Sequence, residues 1–539
     1  MKKRLFRSIV LLSVILMLFT VNISSGGPAF ALSIQPQSVT STFGRDAETA
    51  HNFTWVTSPD IKVGVIEFCE KAEFKGFDRN PIQSKEATSV VTKTDSDIRM
   101  IHKVELSNLK SGTQYVYRVG TDGSYSEQGE FWTAGNESLE TGNPSSGFTF
   151  INITDTQGTT ARDYALWKNT LDKALDQFPQ ARFLIHTGDM VDDGQKISQW
   201  NLFLGAAANE LLNLTIAPAP GNHDVLNKNT TNANAKNFTD SFNLPKELNA
   251  GVPLGTAYSF DYGNTHIAVM NTECDSTNLK KQADWLKLDM SGSTKLWKIV
   301  ALHRGPYGAT YDSVAIRKAL TPVFDELGID LVLQGHDHNY VRSFSMKNES
   351  KVPDGTATLY ITGNSGGVKF YPLKPRSWQQ VNLQPNTQMY IAVTVANNRM
   401  LIQAYDVNNL LRDTTTLEKV AIFLDGVEIR SDAQPYINSD NRTMVPIRLI
   451  AEKLGAQVSW DNINRSVTII NDTDKIQMTI DTKACTVNNE KIMMDTSPVM
   501  KDGRVMVPLR FVAEYIVASI KWEAQQGIVQ LYSRGYSRN

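Results

Sequence analysis

Residues 331–343, LVLQGHDHNYVRS, place two histidines one residue apart directly after an apolar run. The apolar run is typical of a buried strand, and a polar loop leaving that strand is the simplest interpretation of an isolated His-x-His pair. His336 and His338 are, however, two of only eight histidines in 539 residues. The other strand-like runs of the chain decide between a loop and a binding site.

Four earlier apolar runs end in the same way, in polar side chains of the kinds that bind metals. These runs are FTFINITDTQG at 148–158, RFLIHTGDMVDDG at 182–194, LTIAPAPGNHD at 214–224 and LWKIVALHRGPYG at 296–308. Helical stretches separate them, which indicates a layered α/β fold whose strand ends meet at one edge of a sheet. One such cluster is weak evidence, because Asp and Asn are common in loops. Five clusters together predict a shared metal site.

The order of the five motifs resembles that of the calcineurin-like metallophosphoesterases. The motifs are Asp155-x-Gln157, Gly188-Asp189-x-x-Asp192, Gly221-Asn222-His223-Asp224, His303 and Gly335-His336-x-His338. With the β-rich segment that precedes them, residues 36–416 look most like the purple acid phosphatase branch. The resemblance implies two mixed sheets flanked by helices, two metal ions at the strand ends, and hydrolysis of phosphate esters.

The resemblance also implies a ligand set. Asp189 is expected to bridge the two ions, because a carboxylate offers two oxygens. Gln157 stands where a histidine is common, so it is expected to bind weakly, through water, or only by a hydrogen bond. Fe, Zn and Mn stay open as a divalent or mixed-valence pair, because N and O ligands do not select among them. The expected ligands are Asp155, Gln157 and His338 at one ion, Asn222, His303 and His336 at the other, and Asp189 at both.

Further residues are expected to contact the substrate or support the ligands. In the family, the residue matching His223 protonates the leaving alkoxide or holds the phosphate, and imidazole suits proton transfer near neutral pH. Asp224 is expected to orient it; the alternative is that His223 only caps a turn. Asp192 stands where the branch has its tyrosinate ligand to ferric iron, which leaves iron and the purple colour open. The supporting set also includes Arg304, Tyr307 and Tyr340, and the polar loop 226–245 is expected to form a rim that selects substrates.

The two ends of the chain carry different signals. The basic MKKRLFR, a short apolar stretch and AFA at 29–31 predict a signal peptide (residues 1–31) that is cleaved after Ala31, and a secreted or cell-surface protein without a transmembrane helix. The three cysteines are too few and too widely spaced to predict a disulfide framework. A formal net charge of −2 gives no electrostatic reason to expect bulk nucleic-acid binding.

The strand pattern before the metal motifs predicts a separate domain. Tyr115, Tyr117 and Val119 alternate with smaller or polar residues, as in a strand with one buried face. Residues 36–136 are therefore predicted to form an all-β sandwich, and the stretch 109–119 resembles fibronectin type III domains. The α/β domain is predicted over residues 145–416.

Residues 419–533 contain an internal duplication. RTMVPIRLIAEKLGAQVSW at 442–460 recurs as RVMVPLRFVAEYIVASIKW at 504–522, which predicts a duplicated α+β module. The pair resembles the copper amine oxidase N-terminal-like domain. The segment has no histidine, so copper is not expected there, and the repeated Arg and Glu are expected to form internal ion pairs. Contact with the cell wall or another surface is the hypothesis for this module.

The predicted function is an exported dinuclear phosphoesterase that hydrolyses phosphate monoesters. A phosphodiesterase or nucleotidase is the alternative, since the motifs do not separate monoesters from diesters. A binding protein with a vestigial phosphoesterase site is the other class of function. A vestigial site should have lost several ligands, whereas only Gln157 and Asp192 depart from the family pattern.

Overall fold

The computed structural model describes residues 32–79, 81–135, 147–226, 234–247, 249–396, 398–429, 435–438, 440, 442–471, 474–501, 503–516, 519–523 and 528–533. The predicted signal peptide, and residues 227–233 of the predicted rim, lie outside these ranges. Within them, no helix combines the length and the apolar character needed to cross a bilayer.

The N-terminal segment forms two antiparallel sheets that enclose one core. One sheet has the order β1-β2-β6-β5, and the other has the order β4-β3-β7-β8 with β9 also pairing with β7. Tyr115, Tyr117 and Val119 are buried against Phe53 and Phe131, as their alternation predicts. The strands are β1 (Gln37–Phe43), β2 (His51–Thr57), β3 (Val65–Glu70), β4 (Gln83–Glu86), β5 (Thr88–Lys93), β6 (Ile98–Leu106), β7 (Gln114–Thr121), β8 (Ser124–Tyr125) and β9 (Gly129–Trp132).

The central segment begins with the strands and helices that carry the first three motifs. Helix α1 starts at a capping box, in which the Thr160 side chain accepts the backbone N–H of Asp163 and the Asp163 carboxylate accepts that of Thr160. The elements are β10 (Phe148–Ile153), α1 (Ala161–Gln177), β11 (Ala181–His186), α2 (Ile197–Ala206), α3 (Ala208–Leu211), β12 (Thr215–Pro218), α4 (Asn222–Val225) and α5 (Lys236–Ser241).

The second half of the central segment supplies the remaining motifs and closes both sheets. Asp275 caps the N-terminus of helix α6, because its carboxylate accepts the backbone N–H of Asn278. The elements are β13 (Tyr258–Tyr262), β14 (Thr265–Val269), α6 (Ser276–Gly292), β15 (Trp297–Ala301), α7 (Val314–Leu327), β16 (Leu331–Gln334), β17 (Tyr340–Ser343), β18 (Ser345–Lys347), β19 (Ser350–Val352), β20 (Leu359–Thr362), β21 (Gln379–Leu383), β22 (Met389–Ala396), β23 (Arg399–Asp406) and β24 (Leu411–Glu418).

These strands form two mixed sheets that share a hydrophobic core. The six-stranded sheet has the order β12-β11-β10-β22-β23-β24, and the seven-stranded sheet has the order β13-β14-β15-β16-β20-β17-β21. Strands β10, β11 and β12 run parallel, as do β14, β15, β16 and β20. Phe183 of the first sheet packs against Tyr262 of the second, with ring centroids 5.0 Å apart. The carboxyl ends of the parallel strands therefore lie at the same edge of each sheet.

The C-terminal module is built around its duplication. Equivalent residues of the two copies pair directly, because Val445 lies opposite Val507 in the antiparallel pair β28–β35. Arg448 and Glu452 of the first copy form an exposed ion pair at 3.9 Å. The elements are β25 (Ala421–Leu424), β26 (Val427–Ile429), β27 (Tyr436–Ile437), β28 (Thr443–Pro446), α8 (Ile447–Lys453), β29 (Gln457–Asp461), β30 (Ser466–Ile470), β31 (Lys475–Thr479), β32 (Ala484–Val487), β33 (Glu490–Met493), β34 (Val499–Lys501), β35 (Arg504–Pro508), α9 (Leu509–Ile516), β36 (Ser519–Glu523) and β37 (Ile528–Tyr532).

The predicted fold class is confirmed: a β-rich N-terminal domain, a central α/β domain with two mixed sheets, and a β-rich C-terminal module that contains α8 and α9. The domain boundaries 36–136, 145–416 and 419–533 stay predictions. So does the fibronectin type III resemblance of the first domain.

Candidate metal centre

The predicted ligands lie where the parallel strands of both sheets end. Asp155 follows β10, Asp189 follows β11, and His303 follows β15. His336 and His338 occupy the turn from β16 to β17, and Asn222 begins α4 after β12. The two sheets thus bring side chains from four of these segments into one cluster, and Asn222 precedes His223, whose backbone N–H donates to Asp189.

The backbone at four of these residues is strained. Asp155, Asp189, His336 and His338 have φ values of 54°, 55°, 76° and 51°, which lie in the left-handed region that residues other than glycine rarely adopt. Such conformations cost about 1–3 kcal/mol each and persist where the surrounding structure enforces them, often at functional sites. The strain indicates that side-chain direction at this edge is maintained at the expense of stability.

The donor atoms fall into two groups that share one residue. Asp189, His303 and His336 form one group, and Asp155, Asp189 and His338 form the other, with all donor atoms of a group within 4.8 Å of one another. His303 Nε2 lies 3.2 Å from Asp189 Oδ2, and His338 Nε2 lies 3.2 Å from Asp155 Oδ1. The arrangement has the composition and spacing of two metal sites that share the Asp189 carboxylate.

Several buried polar atoms in the cluster have no hydrogen-bond partner among the described residues. They are Gln157 Oε1, Asn222 Oδ1 and His303 Nε2. An unsatisfied buried polar atom costs about 1–3 kcal/mol, so three in one place need a cause. The amide oxygens of Gln157 and Asn222 carry lone pairs that can bind a cation, and His303 Nε2 can bind one after it loses its proton. The residues therefore fit metal ions. The amide nitrogen of Gln157 lies 3.2 Å from His338 Nε2.

Two of the predicted ligand histidines are oriented by backbone carbonyls. His303 Nδ1 donates to Thr187 O at 2.8 Å, and His338 Nδ1 donates to Lys369 O at 3.0 Å. Each bond fixes the ring and leaves Nε2 facing the cluster, as is usual for metal-binding histidines.

Charge interactions inside the cluster shift its pKa values. Burial disfavours a charged His303, but the Asp189 carboxylate outweighs burial and raises the pKa of His303 to about 10. Burial likewise works against an ionised Asp189, yet His303 holds the pKa of that carboxyl well below its usual range. Burial lowers the pKa of His336 to about 3, so that ring is neutral. A bound cation would take the place of the proton on His303.

His223 lies beside the cluster. Its Nδ1 donates to Asp192 O at 2.7 Å, its backbone N–H donates to Asp189 Oδ1 at 2.9 Å, and its Nε2 lies 3.9 Å from Asp189 Oδ2. The side chain is 22% exposed, whereas those of Asp189 and His303 are at most 1% exposed. Its geometry suits a group that meets the substrate.

Asp224 does not orient His223, contrary to the expectation. Its buried carboxylate accepts backbone N–H bonds from Asp189 at 2.8 Å, Val191 at 3.1 Å and Gly221 at 2.8 Å. Asp224 therefore positions the loop that carries Asp189. The backbone carbonyl of Asp192 orients His223 instead.

Asp192 and Arg304 are held by ion pairs near the cluster. The Asp192 carboxylate pairs with Lys369 Nζ at 2.6 Å and lies 3.7 Å from His223 Nδ1. Arg304 Nε lies 2.9 Å from the buried Glu273 carboxylate. Asp192 thus lies beside His223, and Arg304 follows the predicted ligand His303; the sequence pattern did not indicate either charge partner.

The expected supporting roles of Tyr307 and Tyr340 are corrected. The Tyr307 ring is buried against Tyr360 and Trp378, in the hydrophobic cluster behind the second sheet. The Tyr340 hydroxyl donates to Asp413 at 2.8 Å. Both side chains are thus engaged in packing or in a structural hydrogen bond.

Two other tyrosines contact the ligand histidines. The Tyr311 ring lies 4.7 Å from His336, and the Tyr371 ring lies 4.2 Å from His338, measured between centroids. Neither belongs to a motif, since both lie in irregular loops between strands and helices. Asp337, the aspartate between the two histidines, was also assigned no role from the sequence. Its position inside the His-x-His motif was the signal that could have identified it.

Comparison with known families agrees with this geometry. Residues 148–340 match the family model of calcineurin-like phosphoesterases, and residues 36–133 match that of the purple acid phosphatase N-terminal domain. Residues 423–531 match the copper amine oxidase N-terminal domain.

Individual relatives point to the same family. Acid phosphatase type 7 of Mus musculus is 25% identical over 336 residues, which cover 54% of this chain and 71% of that protein. Purple acid phosphatase 23 of Arabidopsis thaliana is 26% identical over 176 residues, 31% of this chain and 37% of that protein. The structure of a purple acid phosphatase from yellow lupin (Lupinus luteus) seeds superposes with a TM-score of 0.61 at 17% identity, covering 71% of this chain and 74% of that one. This last match concerns the fold alone.

Proposed function

We propose that this chain hydrolyses phosphate monoesters at a two-metal centre, as a calcineurin-like metallophosphoesterase of the purple acid phosphatase-like branch. The matches of residues 148–340 and 36–133 to the two family models support this proposal. The named relatives are acid phosphatases, which are hydrolases. The proposal concerns the reaction and the residues that perform it.

One observation carries the proposal: two groups of metal-binding atoms share the carboxylate of Asp189. A shared carboxylate holds two cations close together, which is the arrangement of two-metal hydrolases. The unpartnered, buried oxygens of Gln157 and Asn222 support the assignment, because a buried amide oxygen without a hydrogen bond can bind a cation. We assign Asp155, Gln157 and His338 to one ion and Asn222, His303 and His336 to the other.

When bound, the two cations would lower the pKa of a water and neutralise charge on the phosphate. The protein residues have separate tasks. Asp189 maintains the spacing, and the backbone bonds to Asp224 keep Asp189 in its strained conformation. Fe, Zn and Mn remain our candidates for the ions, because the ligands combine imidazole nitrogen with carboxylate and amide oxygen.

His223 is proposed as the acid that protonates the leaving alkoxide. Its Nδ1–H is committed to Asp192 O, so the proton that can be transferred is on Nε2. Nε2 lies near Asp189 but outside the donor groups, where a substrate oxygen can approach it. Transfer of this proton leaves a neutral ring, still oriented by Asp192. General acid catalysis of this kind contributes about 10²–10⁴-fold.

Export is part of the proposal. The basic start of the chain, the apolar stretch that follows and the small residues before residue 32 support a cleaved signal peptide. The N-terminal sequence of the protein recovered from culture medium checks this point; a chain that stays in the cell and begins at residue 1 would contradict it.

The reaction is tested with the purified mature chain. We expect two metal ions per chain by elemental analysis, and a higher kcat/KM for 4-nitrophenyl phosphate than for bis(4-nitrophenyl) phosphate. A strong preference for the diester would replace monoester hydrolysis with diester hydrolysis. If the chain binds two metal ions but hydrolyses neither ester, the proposed phosphoesterase activity is wrong, and the binding-protein alternative is favoured.

A further inference from the structure

Two tyrosines flank the turn that carries His336 and His338. The Tyr311 plane is inclined by 32° to that of His336, and the Tyr371 plane by 28° to that of His338. The two tyrosine rings are 6.3 Å apart and nearly perpendicular, at 84°. Tyr311 is 44% exposed and Tyr371 is half-buried, so both rings present surface to solvent beside the metal ligands.

The loop of Tyr311 is fixed by the aspartate between the two histidines. Asp337 is buried, and its Oδ2 accepts the backbone N–H of Ala309 and, at 2.8 Å, that of Thr310. Burial of a carboxylate is costly unless hydrogen bonds satisfy it, so these bonds tie the loop firmly to the histidine turn. An exposed aromatic ring is therefore carried on a rigid backbone.

The loop of Tyr371 is fixed to the same turn. Gln384 Nε2 donates both to His338 O at 2.7 Å and to Tyr371 O at 2.8 Å. The Thr310 hydroxyl donates to Pro372 O at 3.1 Å and so joins the two tyrosine loops. The two rings and the two metal-binding histidines form one pre-organised unit, which is the condition for a specific binding surface.

We propose that Tyr311 and Tyr371, the tyrosine pair, form a stacking site for a planar aromatic ring on the alcohol half of the phosphate ester. The inference rests on the proposed monoester hydrolysis and adds the substrate class. Rigid tyrosine rings bind planar rings at low entropic cost, and stacking tolerates every nucleobase because each has a π face.

Nucleoside monophosphates fit this class best. The tyrosine rings lie one imidazole ring away from the nitrogens that bind the ions, and in a nucleotide the ribose separates the base from the phosphate by a comparable step. This feature favours the nucleotidase alternative over a general monoesterase.

The test compares adenosine 5′-monophosphate with ribose 5-phosphate. Both release a primary alkoxide at the same carbon, so leaving-group chemistry is matched and only the base differs. We expect KM for the nucleotide to be lower by about tenfold, with similar kcat, since stacking on a base is worth about 1–3 kcal/mol and 1.4 kcal/mol is tenfold.

Variants of the tyrosine pair locate the effect. Tyr311→Leu and Tyr371→Leu should each bring the KM ratio of the two substrates close to one, whereas Tyr311→Phe and Tyr371→Phe should keep it. Trp522→Leu, which removes a similarly exposed aromatic from the C-terminal module, is the matched control and should also keep the ratio. Loss of the ratio in the Phe variants would show that the hydroxyls act, and would overturn stacking.

The two proposals fail in different ways. Equal KM values for both substrates in the unaltered enzyme, with normal turnover, would overturn the stacking site and leave monoester hydrolysis intact. A metal-loaded enzyme that hydrolyses neither substrate would overturn the proposed reaction, and the stacking site with it.

Discussion

Two clusters of the central domain combine histidine with aspartate, and they differ in how fully their polar atoms are hydrogen-bonded. In the outer cluster, His266 Nδ1 lies 2.6 Å from Asp261 Oδ1 and His266 Nε2 lies 2.8 Å from Asp289 Oδ2. Ser259 donates to the other oxygen of Asp289 at 2.8 Å. In the metal cluster, two amide oxygens have no hydrogen-bond partner among the described residues, and His303 Nε2 has only a longer contact, at 3.2 Å, with Asp189 Oδ2.

The contrast separates a structural cluster from a binding site made of the same residue types. The outer cluster satisfies its own charges, with ordinary backbone conformations at all three residues, whereas Asp155 and Asp189 are strained. Unpartnered buried atoms and strained backbone are unfavourable for folding, and their occurrence together at one sheet edge is typical of a functional site. Residue composition alone does not distinguish the two clusters.

The largest effect is expected from Asp189→Asn. An amide cannot supply two anionic oxygens, so both ions should be lost and turnover should fall by more than the roughly 100-fold typical of residues that only support ligands. The matched control is Asp289→Asn in the outer cluster, which should keep both ions. Elemental analysis and kcat on the same preparations check this; two retained ions with near-normal turnover in Asp189→Asn would refute the bridge.

His223→Ala is expected to leave the metal content unchanged and to lower kcat strongly. Both ions should remain, and kcat should fall by about 10²–10⁴-fold, as for loss of a general acid. The defect should be larger for an alkyl phosphate than for 4-nitrophenyl phosphate, because nitrophenolate needs little protonation. Equal defects would favour phosphate binding over proton donation, and lost metal would make His223 a ligand.

Asp224→Asn should weaken metal binding without abolishing it. The new amide group places N–H donors against the backbone N–H groups of residues 189–191, so the loop should shift and metal affinity should fall by about 10–100-fold. Asp163→Asn is the control, because Asp163 also accepts backbone N–H groups, at the start of α1. Competition with a metal chelator measures the affinity; equal affinities in the two variants would contradict the positioning role.

The outer cluster should affect stability and its pH dependence, and not the reaction. Burial lowers the pKa of His266, but the hydrogen bonds that its ring donates to Asp261 and Asp289 outweigh burial and raise the pKa to about 9. Because the folded pKa exceeds the ordinary 6.5, this stabilisation is complete below pH 6.5 and disappears as pH rises through 9. His266→Gln should therefore destabilise the protein by about 2 kcal/mol at pH 7.5 and much less at pH 10.

His102→Gln is the control for that pH dependence. His102 bonds the hydroxyls of Thr57 and Ser89, and burial lowers its pKa to about 4. Its contribution should not change between pH 7.5 and pH 10, because His102 is neutral throughout. Thermal unfolding at the two pH values measures both variants; a His266→Gln defect that is the same at both would contradict the ion-pair account.

Much of the fold could be predicted from the sequence, because its determinants are local. Apolar runs that end in Gly, Asp or Asn specify strands and their ends, and the alternation at Tyr115–Tyr117 specifies a sheet face. The duplication was visible as a repeat, and the structure adds that Val445 and Val507, which are equivalent, pair with each other. The position of the candidate site followed from the parallel strands.

The supporting contacts could not be predicted, because they join residues far apart in sequence. Lys369 meets Asp192, and Gln384 meets Tyr371 and His338, through loops whose paths no periodicity encodes. Adjacency in sequence was also misleading: Asp224 follows His223 but points to the Asp189 loop. Tyr340 follows the His-x-His motif, yet its hydroxyl donates to Asp413, more than seventy residues later in the chain.

The central claim is that the cluster at the strand ends is a two-metal centre bridged by Asp189. Anomalous diffraction from crystals of the purified protein, collected on both sides of the absorption edges of Fe, Mn and Zn, tests it directly. We predict two peaks about 3.5–4 Å apart, one beside His303 and His336 and one beside Asp155 and His338, with Asp189 between them. A single peak, or metal bound elsewhere with the cluster closed by its own hydrogen bonds, would contradict the account.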